Sequence, residues 1–196
     1  VKSKFLETIK IENGSVENLF YHQKRFEGVL EQFSITEKPL LENLIHPPKE
    51  GLFRCRVVYD VRDIGAVEVG YIPYEKRVIR SLKFVEDETL EYRYKYLDRT
   101  RIDALFAQRG DSDDIVIVQN NLVRDTSIAN IALFKNGRWL TPKEPLLCGT
   151  TRARLLSEKK IFEADITPKE LCQAQKIALL NAMIGFEILD GCRFEF

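Results

Sequence analysis

A lysine, a later carboxylate and a helix start stand out in this 196-residue chain for the chemistry they could do together. Lys95 lies in Tyr94-Lys95-Tyr96-Leu97-Asp98-Arg99, and Asp125 opens Asp125-Thr126-Ser127-Ile128-Ala129-Asn130 thirty residues on. Thr141-Pro142 and Gly149-Thr150-Thr151-Arg152 follow. A lysine amine can condense with a carbonyl and afterwards act as a base, provided its proton is held loosely. Tyr92, Tyr94 and Tyr96 can partly desolvate Lys95, and Arg93 and Arg99 disfavour its proton. A carboxylate in a polar turn can keep a ring nitrogen protonated, which makes the ring an electron sink. A Gly-Thr-Thr helix start offers backbone N–H groups and hydroxyls to a phosphate.

Taken singly, each residue also has a plainer reading. Lys95 could be a solvated surface lysine, Asp125 a turn aspartate in the polar stretch Asn120–Thr126, and Gly149–Arg152 an ordinary capped helix. Composition narrows the classes of function. Lys+Arg and Asp+Glu number 30 each, so no overall field draws nucleic acid or an anionic membrane, and binding through the aromatic-basic stretch Tyr92–Arg101 is disfavoured. Hydrophobic residues at 44% and charged residues at 31% fit a soluble globular chain with a sizeable core. No apolar run has membrane-spanning length, and no signal-peptide pattern is read at Val1-Lys2-Ser3-Lys4. Cys55, Cys148, Cys172 and Cys192 are scattered and only two histidines accompany them, so reduced thiols in a cytoplasmic protein are expected, with no metal site.

The elements that must position these residues follow from periodicity. Phe5–Ile11 reads as a strand ending in the hairpin signal Asn13-Gly14. Phe26, Val29, Leu30 and Phe33 mark a helix from about His22 to Phe33, and a second helix is expected over Thr36–Ile45, stopped by Pro47-Pro48. Strand-like runs at Leu52–Tyr59, Ala66–Tyr71 and Arg77–Val85 would complete an antiparallel sheet with the first hairpin. Arg54 and Arg56 alternate on the first of these runs, so both face one side and could meet an anionic substrate. The polar Glu86-Asp87-Glu88-Thr89 is the expected link between a smaller domain, 1–88, and a second, 89–196. Beyond it come a helical stripe at Ile102, Leu105 and Phe106, buried strands at Ile115–Val118, Ile128–Phe134 and Ile177–Leu180, and a helix over Arg152–Lys159. Thr167-Pro168-Lys169-Glu170 has capping-box spacing with Pro at the first helical position. The fold class expected is α+β, as two mixed halves.

The lysine, the carboxylate and the helix start are the parts a pyridoxal phosphate enzyme needs. Their order and spacing resembles the class IV aminotransferase family, the fold-type IV group of branched-chain and D-amino acid aminotransferases and aminodeoxychorismate lyase. The resemblance is carried by Lys-x-Leu-Asp-Arg at Lys95–Arg99 with a helix after it, by an acid five residues before Asn130, and by Thr141-Pro142 ahead of Gly149–Arg152. His22-Gln23-Lys24-Arg25 matches the family's His-x-x-Arg, and Asn181-Ala182-Met183 stands at its late phosphate contact. The resemblance implies two mixed α/β domains and pyridoxal 5'-phosphate held as an aldimine on Lys95. Asp125 would face the ring nitrogen, with Asn130 beside it in the cofactor site, and Arg25, Thr150, Thr151, Asn181 and Ala182 would stand around the phosphate. Arg54, Arg56 and Arg99 are the candidates for substrate.

Asp125 departs from the Glu of many relatives by one methylene. The Asp-Arg…Gly-Asp-Gly segment of longer members is missing, so the N-terminal half looks shortened, with Phe5-Leu6-Glu7-Thr8 keeping only the end of that region. Some aminotransferases use a tyrosine after the lysine, and Leu97-Asp98-Arg99 stands there instead. That and Asn-Ala-Met look like the lyase branch, which gives 4-aminobenzoate, a folate precursor, and pyruvate. A branched-chain or D-amino acid type aminotransferase is the alternative on the same machinery. The resemblance further implies a small amino acid-like substrate and a homodimer. A non-catalytic binding protein on the same fold is the reading from another class.

Overall fold

In a computed structural model of the chain, residues 3–196 are described, so the Val1-Lys2-Ser3-Lys4 start lies partly outside them. The chain forms two compact units, one of residues up to Lys76 together with Tyr94–Asp98, the other of Arg77–Arg93 and Arg99–Phe196.

The first unit begins with β1 (Lys4–Glu12), in which Phe5, Glu7, Ile9 and Ile11 alternate onto one buried face. Asn13 and Gly14 both take positive φ, 48° and 82°, and turn the chain into β2 (Ser15–Val16), as a tight hairpin turn requires. Helix α1 (Leu19–Gln32) follows and buries His22, Phe26, Val29 and Leu30 on one stripe. The expected second helix shrinks to α2 (Leu41–Leu44), because Pro39 restrains Lys38 to extended backbone. Gln23 brackets that proline, its Nε2 donating to the Pro39 carbonyl at 3.1 Å and its Oε1 accepting from Leu41 N–H at 2.8 Å. Strands β3 (Leu52–Asp60) and β4 (Asp63–Pro73) complete an antiparallel sheet of order β2-β1-β3-β4. The core between this sheet and α1 is rich in rings, with Phe26 and Tyr59 centroids 4.6 Å apart.

A strap, Tyr94–Asp98, belongs to the same unit. Tyr94 and Tyr96 lay their rings on Phe5, the Leu6 N–H donates to the Lys95 carbonyl at 2.9 Å, and the Leu97 N–H donates to the Lys4 carbonyl at 3.0 Å. Aromatic burial thus ties the backbone of Lys95 to β1.

The second unit starts earlier than the expected link. β5 (Ser81–Glu86) does not join the first sheet, since it pairs in parallel with β6 (Asp114–Gln119), which is reached through α3 (Thr100–Phe106). Glu86–Thr89 is a capped turn of this unit, with Asp87 Oδ1 accepting from Thr89 N–H at 2.9 Å and the Asp87 carbonyl accepting from Gln119 at 2.7 Å. β7 (Leu122–Thr126) turns back beside β6, and β8 (Asn130–Lys135) begins after a short break held by the Thr126 hydroxyl. The remaining elements are β9 (Arg138–Pro142), α4 (Thr150–Ser157), β10 (Phe162–Ala164), α5 (Pro168–Cys172), β11 (Lys176–Asn181), β12 (Gly185–Leu189) and β13 (Arg193–Glu195). Thr167 and Glu170 close the anticipated capping box at α5. Two sheets result, β13-β5-β6-β7 and β10-β9-β8-β11-β12, with a core of side chains such as Leu82, Val116, Ile131, Leu171 and Leu179 and a smaller cluster of Ala132, Leu155, Ile161 and Leu180. Among the described residues no helix is long and apolar enough to cross a membrane.

Candidate active site

The first unit holds Lys95 and Arg25. Arg25 projects from α1 onto a carboxylate that alternation alone would have made apolar: Glu7, on the buried face of β1 and 1% exposed. The Arg25 Nε donates to Glu7 Oε1 at 2.8 Å and its Nη2 to Oε2 at 2.6 Å, while His22 Nδ1 meets Oε2 at 2.6 Å. Burial by itself would raise the Glu7 carboxyl, but the Arg25 charge and the hydrogen bonds of His22 and Arg25 outweigh it and hold it at about 2. His22 is pushed down from its ordinary value, first by burial, against the pull of Glu7, with the charges of Arg25 and Lys95 adding to the drop. The imidazole is therefore neutral and donates its Nδ1 proton to the carboxylate. Arg54 and Arg56 lie on the other face of the sheet, because Arg56 is registered with Thr8 while Glu7 is registered with Val57. The structure does not bring them beside Arg25.

The second unit gathers the rest at the ends of four elements. Asp125, at the end of β7, is 4% exposed. Its Oδ1 accepts from Asn130 Nδ2 at 2.7 Å and its Oδ2 from the Leu147 N–H at 2.9 Å. The same Asn130 amide donates to the Leu147 carbonyl at 2.8 Å, so Asn130 links the carboxylate to the loop before α4. Asn130 Oδ1 lies 2.2 Å from where a Cβ on Gly149 would be. Gly149 is demanded by this close approach, its φ of −65° being open to any residue. Thr150 and Thr151 begin α4, each 3% exposed, and the first turn carries no acid. Arg152, 4% exposed, donates through Nη2 to the Pro142 carbonyl at 2.8 Å and to Glu163 at 2.7 Å, tying the Thr-Pro segment to the helix start. Asn181 ends β11, where Leu180 is registered with Asn130. Its Nδ2 donates to the Ile128 carbonyl at 3.3 Å and its Oδ1 accepts from Met183 and Ile184 N–H groups, with Ala182 inside that turn. Arg99 donates to the Ser127 carbonyl at 2.9 Å and so reaches the same segment.

Burial pushes Asp125 up to about 7, against the Asn130 amide, the Leu147 N–H and the Arg152 charge. Both side-chain contacts just described are neutral amides, so this carboxylate bears a desolvation cost that a cationic ring nitrogen would relieve. With no acid in the first turn of α4 and two buried threonines at its start, the second unit fits a phosphorylated pyridine ring. Glu7, His22 and Arg152 were not singled out by the sequence as site residues. A glutamate on the apolar face of an alternating strand was the signal for the first, and the His-x-x-Arg spacing placed the second one turn from Arg25.

Residues 73–188 match the amino-transferase class IV family, and the chain belongs to that family. It is 36% identical over 185 residues to an uncharacterized protein of Haemophilus influenzae, covering 91% of this chain and 97% of that one. It is 24% identical over 159 residues to the putative aminodeoxychorismate lyase of Schizosaccharomyces pombe, covering 72% of this chain and 69% of that protein. The crystal structure of a putative 4-amino-4-deoxychorismate lyase from Haemophilus somnus superposes with a TM-score of 0.84 at 36% identity, covering 94% of this chain and 98% of that one. A hypothetical aminotransferase from Mycobacterium tuberculosis, in its PLP-bound form, shares the fold with a TM-score of 0.81 at 16% identity, over 98% of this chain and 81% of that one.

Proposed function

We propose that this protein is a pyridoxal phosphate-dependent 4-amino-4-deoxychorismate lyase that releases pyruvate and leaves 4-aminobenzoate, a precursor for folate. The observation that carries the reading is the 36% identity, over nearly all of both chains, to the Haemophilus somnus protein named for that reaction. Lys95 would hold the cofactor, Asp125 would face its ring nitrogen with Asn130 fixing the carboxylate, and Arg25, Thr150, Thr151, Asn181 and Ala182 would surround its phosphate. Bound pyridoxal phosphate supplies an electrophilic carbon for the substrate amine and a ring that withdraws electrons from the amine-bearing carbon. The Lys95 amine takes the proton from that carbon and can return one to the departing enolpyruvyl group. Ionised Asp125 favours a proton on a nitrogen set against it, and Asn130 keeps the carboxylate aimed. Arg54, Arg56 and Arg99 are the proposed partners for substrate carboxylates. A homodimer in the cytoplasm is part of this proposal.

A class IV amino acid aminotransferase is the second reading, supported by the family itself. The two separate in one experiment. Given aminodeoxychorismate and cofactor, with no 2-oxo acid, the protein should release pyruvate and 4-aminobenzoate over many turnovers. Elimination leaves the amino group on the aromatic product, so no acceptor is needed. Product that forms only when an amino donor and a 2-oxo acid are both supplied would replace the lyase with the aminotransferase.

A further inference from the structure

Arg25 is assigned above to a phosphate, yet its guanidinium lies on a buried acid. Glu7 takes the Nε–Nη2 edge of Arg25 in a two-point fork, at 2.8 Å and 2.6 Å. His22, itself fully buried, closes on the same carboxylate at 2.6 Å. One oxygen of Glu7 thus receives one donor and the other receives two. A fork of this kind fixes the plane of a guanidinium, because turning it breaks two charge-assisted bonds together. An anion meeting Arg25 would find the orientation of the guanidinium already set by the fork.

The neighbouring residue has a complementary task. Leu6 donates its N–H to the Lys95 carbonyl at 2.9 Å. Two consecutive residues of β1 therefore hold the backbone of Lys95 and the guanidinium of Arg25. The Lys95 charge is also felt at His22.

We propose that Glu7, braced by His22, is a positioning residue that aims Arg25 at the phosphate of the cofactor, and that β1 sets the spacing between that cation and Lys95. This rests on the reading of Lys95 and Arg25 as cofactor residues. The sign of the effect separates it from simple electrostatics. A buried carboxylate beside a cation lowers the local positive potential, so removing its charge should by Coulomb's law tighten phosphate binding. Positioning requires the opposite.

The test compares binding of pyridoxal phosphate and of pyridoxal, which lacks the phosphate, to the wild type, Glu7→Gln, Glu7→Asp, Arg25→Gln and the double variant Glu7→Gln/Arg25→Gln. Inorganic phosphate, titrated as a competitor, gives a readout independent of turnover. Glu7→Gln should raise the dissociation constant for pyridoxal phosphate by roughly tenfold or more, the scale of one mis-set charge-assisted contact. It should leave pyridoxal binding unchanged and add little in the Arg25→Gln background, since both act through one contact. Glu7→Asp keeps the charge but shortens the reach, and should show the same phosphate-selective loss; it carries the test if Glu7→Gln does not fold. Tighter pyridoxal phosphate binding by Glu7→Gln, equal losses for both ligands, or additivity with Arg25→Gln would each overturn the proposal. A wild type that binds both ligands equally would overturn it alone. A wild type that binds neither would overturn the functional reading, and this inference with it.

Discussion

Replacing Asp125 with asparagine should remove a pH dependence of stability from the cofactor-free protein. Asp125 has an ordinary value of 3.8 when unfolded and is pushed up to about 7 by burial in the fold. Between those values the folded state binds the extra proton, so stability contributed by this group is full below about pH 4 and lost as the pH rises through about 7. The difference between 3.8 and about 7 corresponds to about 4 kcal/mol at most. Against it stands a donor mismatch. Both partners of the carboxylate, Asn130 Nδ2 and the Leu147 N–H, donate, whereas asparagine has one accepting oxygen and would set its own NH2 against the other donor. Leaving that pair unmatched costs about 1–3 kcal/mol. Wild type should therefore be the more stable at about pH 5, with the gap closing or reversing by about pH 8, as urea unfolding followed by circular dichroism would measure. Parallel stability profiles for the two proteins would refute the account of Asp125 as a buried, cation-seeking carboxylate. Adding pyridoxal phosphate should restore the advantage of wild type at the higher pH.

Glu7 has the opposite linkage. Held at about 2 against an ordinary 4.5, it contributes stability that is present above pH 4.5 and lost as the pH falls through about 2, so Glu7→Gln should flatten acid unfolding in that window. Gly149→Ala meets Asn130 Oδ1 at 2.2 Å and should destabilise the protein by about 1–3 kcal/mol, read from thermal unfolding. Unchanged stability would show that the approach of Asn130 is looser than described. Thr167→Ala should lose about 1 kcal/mol with its capping box, and an unchanged midpoint would mean that α5 is held by Leu171 alone.

The sequence made the second unit's site legible because its parts are short, local motifs. Asp125 and Asn130 lie five residues apart, and the Gly-Thr-Thr start is visible as a helix beginning. The close contact that demands Gly149 was not visible, since its partner Asn130 sits nineteen residues upstream at the start of β8. Periodicity located β1, α1, β3 and β11 but could not tell which sheet a strand would join. Arg77–Val85 reads as one more strand of the first sheet, and only the parallel register of Leu82–Glu86 with Asp114–Val118 assigns that strand to the second unit. The polar run Glu86–Thr89 looks like a linker by composition, while its polarity serves a turn capped by Asp87. Lys95 offered no sign that the tyrosines flanking it would pack on Phe5 and bring the strap back to the first unit. Long-range pairing of this sort is a tertiary outcome that local pattern does not encode.

The most direct test of the central claim is to locate the cofactor on the chain. The protein is saturated with pyridoxal phosphate, reduced with borohydride, digested and mapped by mass spectrometry. The account predicts that the pyridoxyl group is fixed on Lys95, and that Lys95→Ala folds as wild type but retains no label and no activity. Label fixed on another lysine, or a Lys95→Ala protein that is labelled and active, would contradict it.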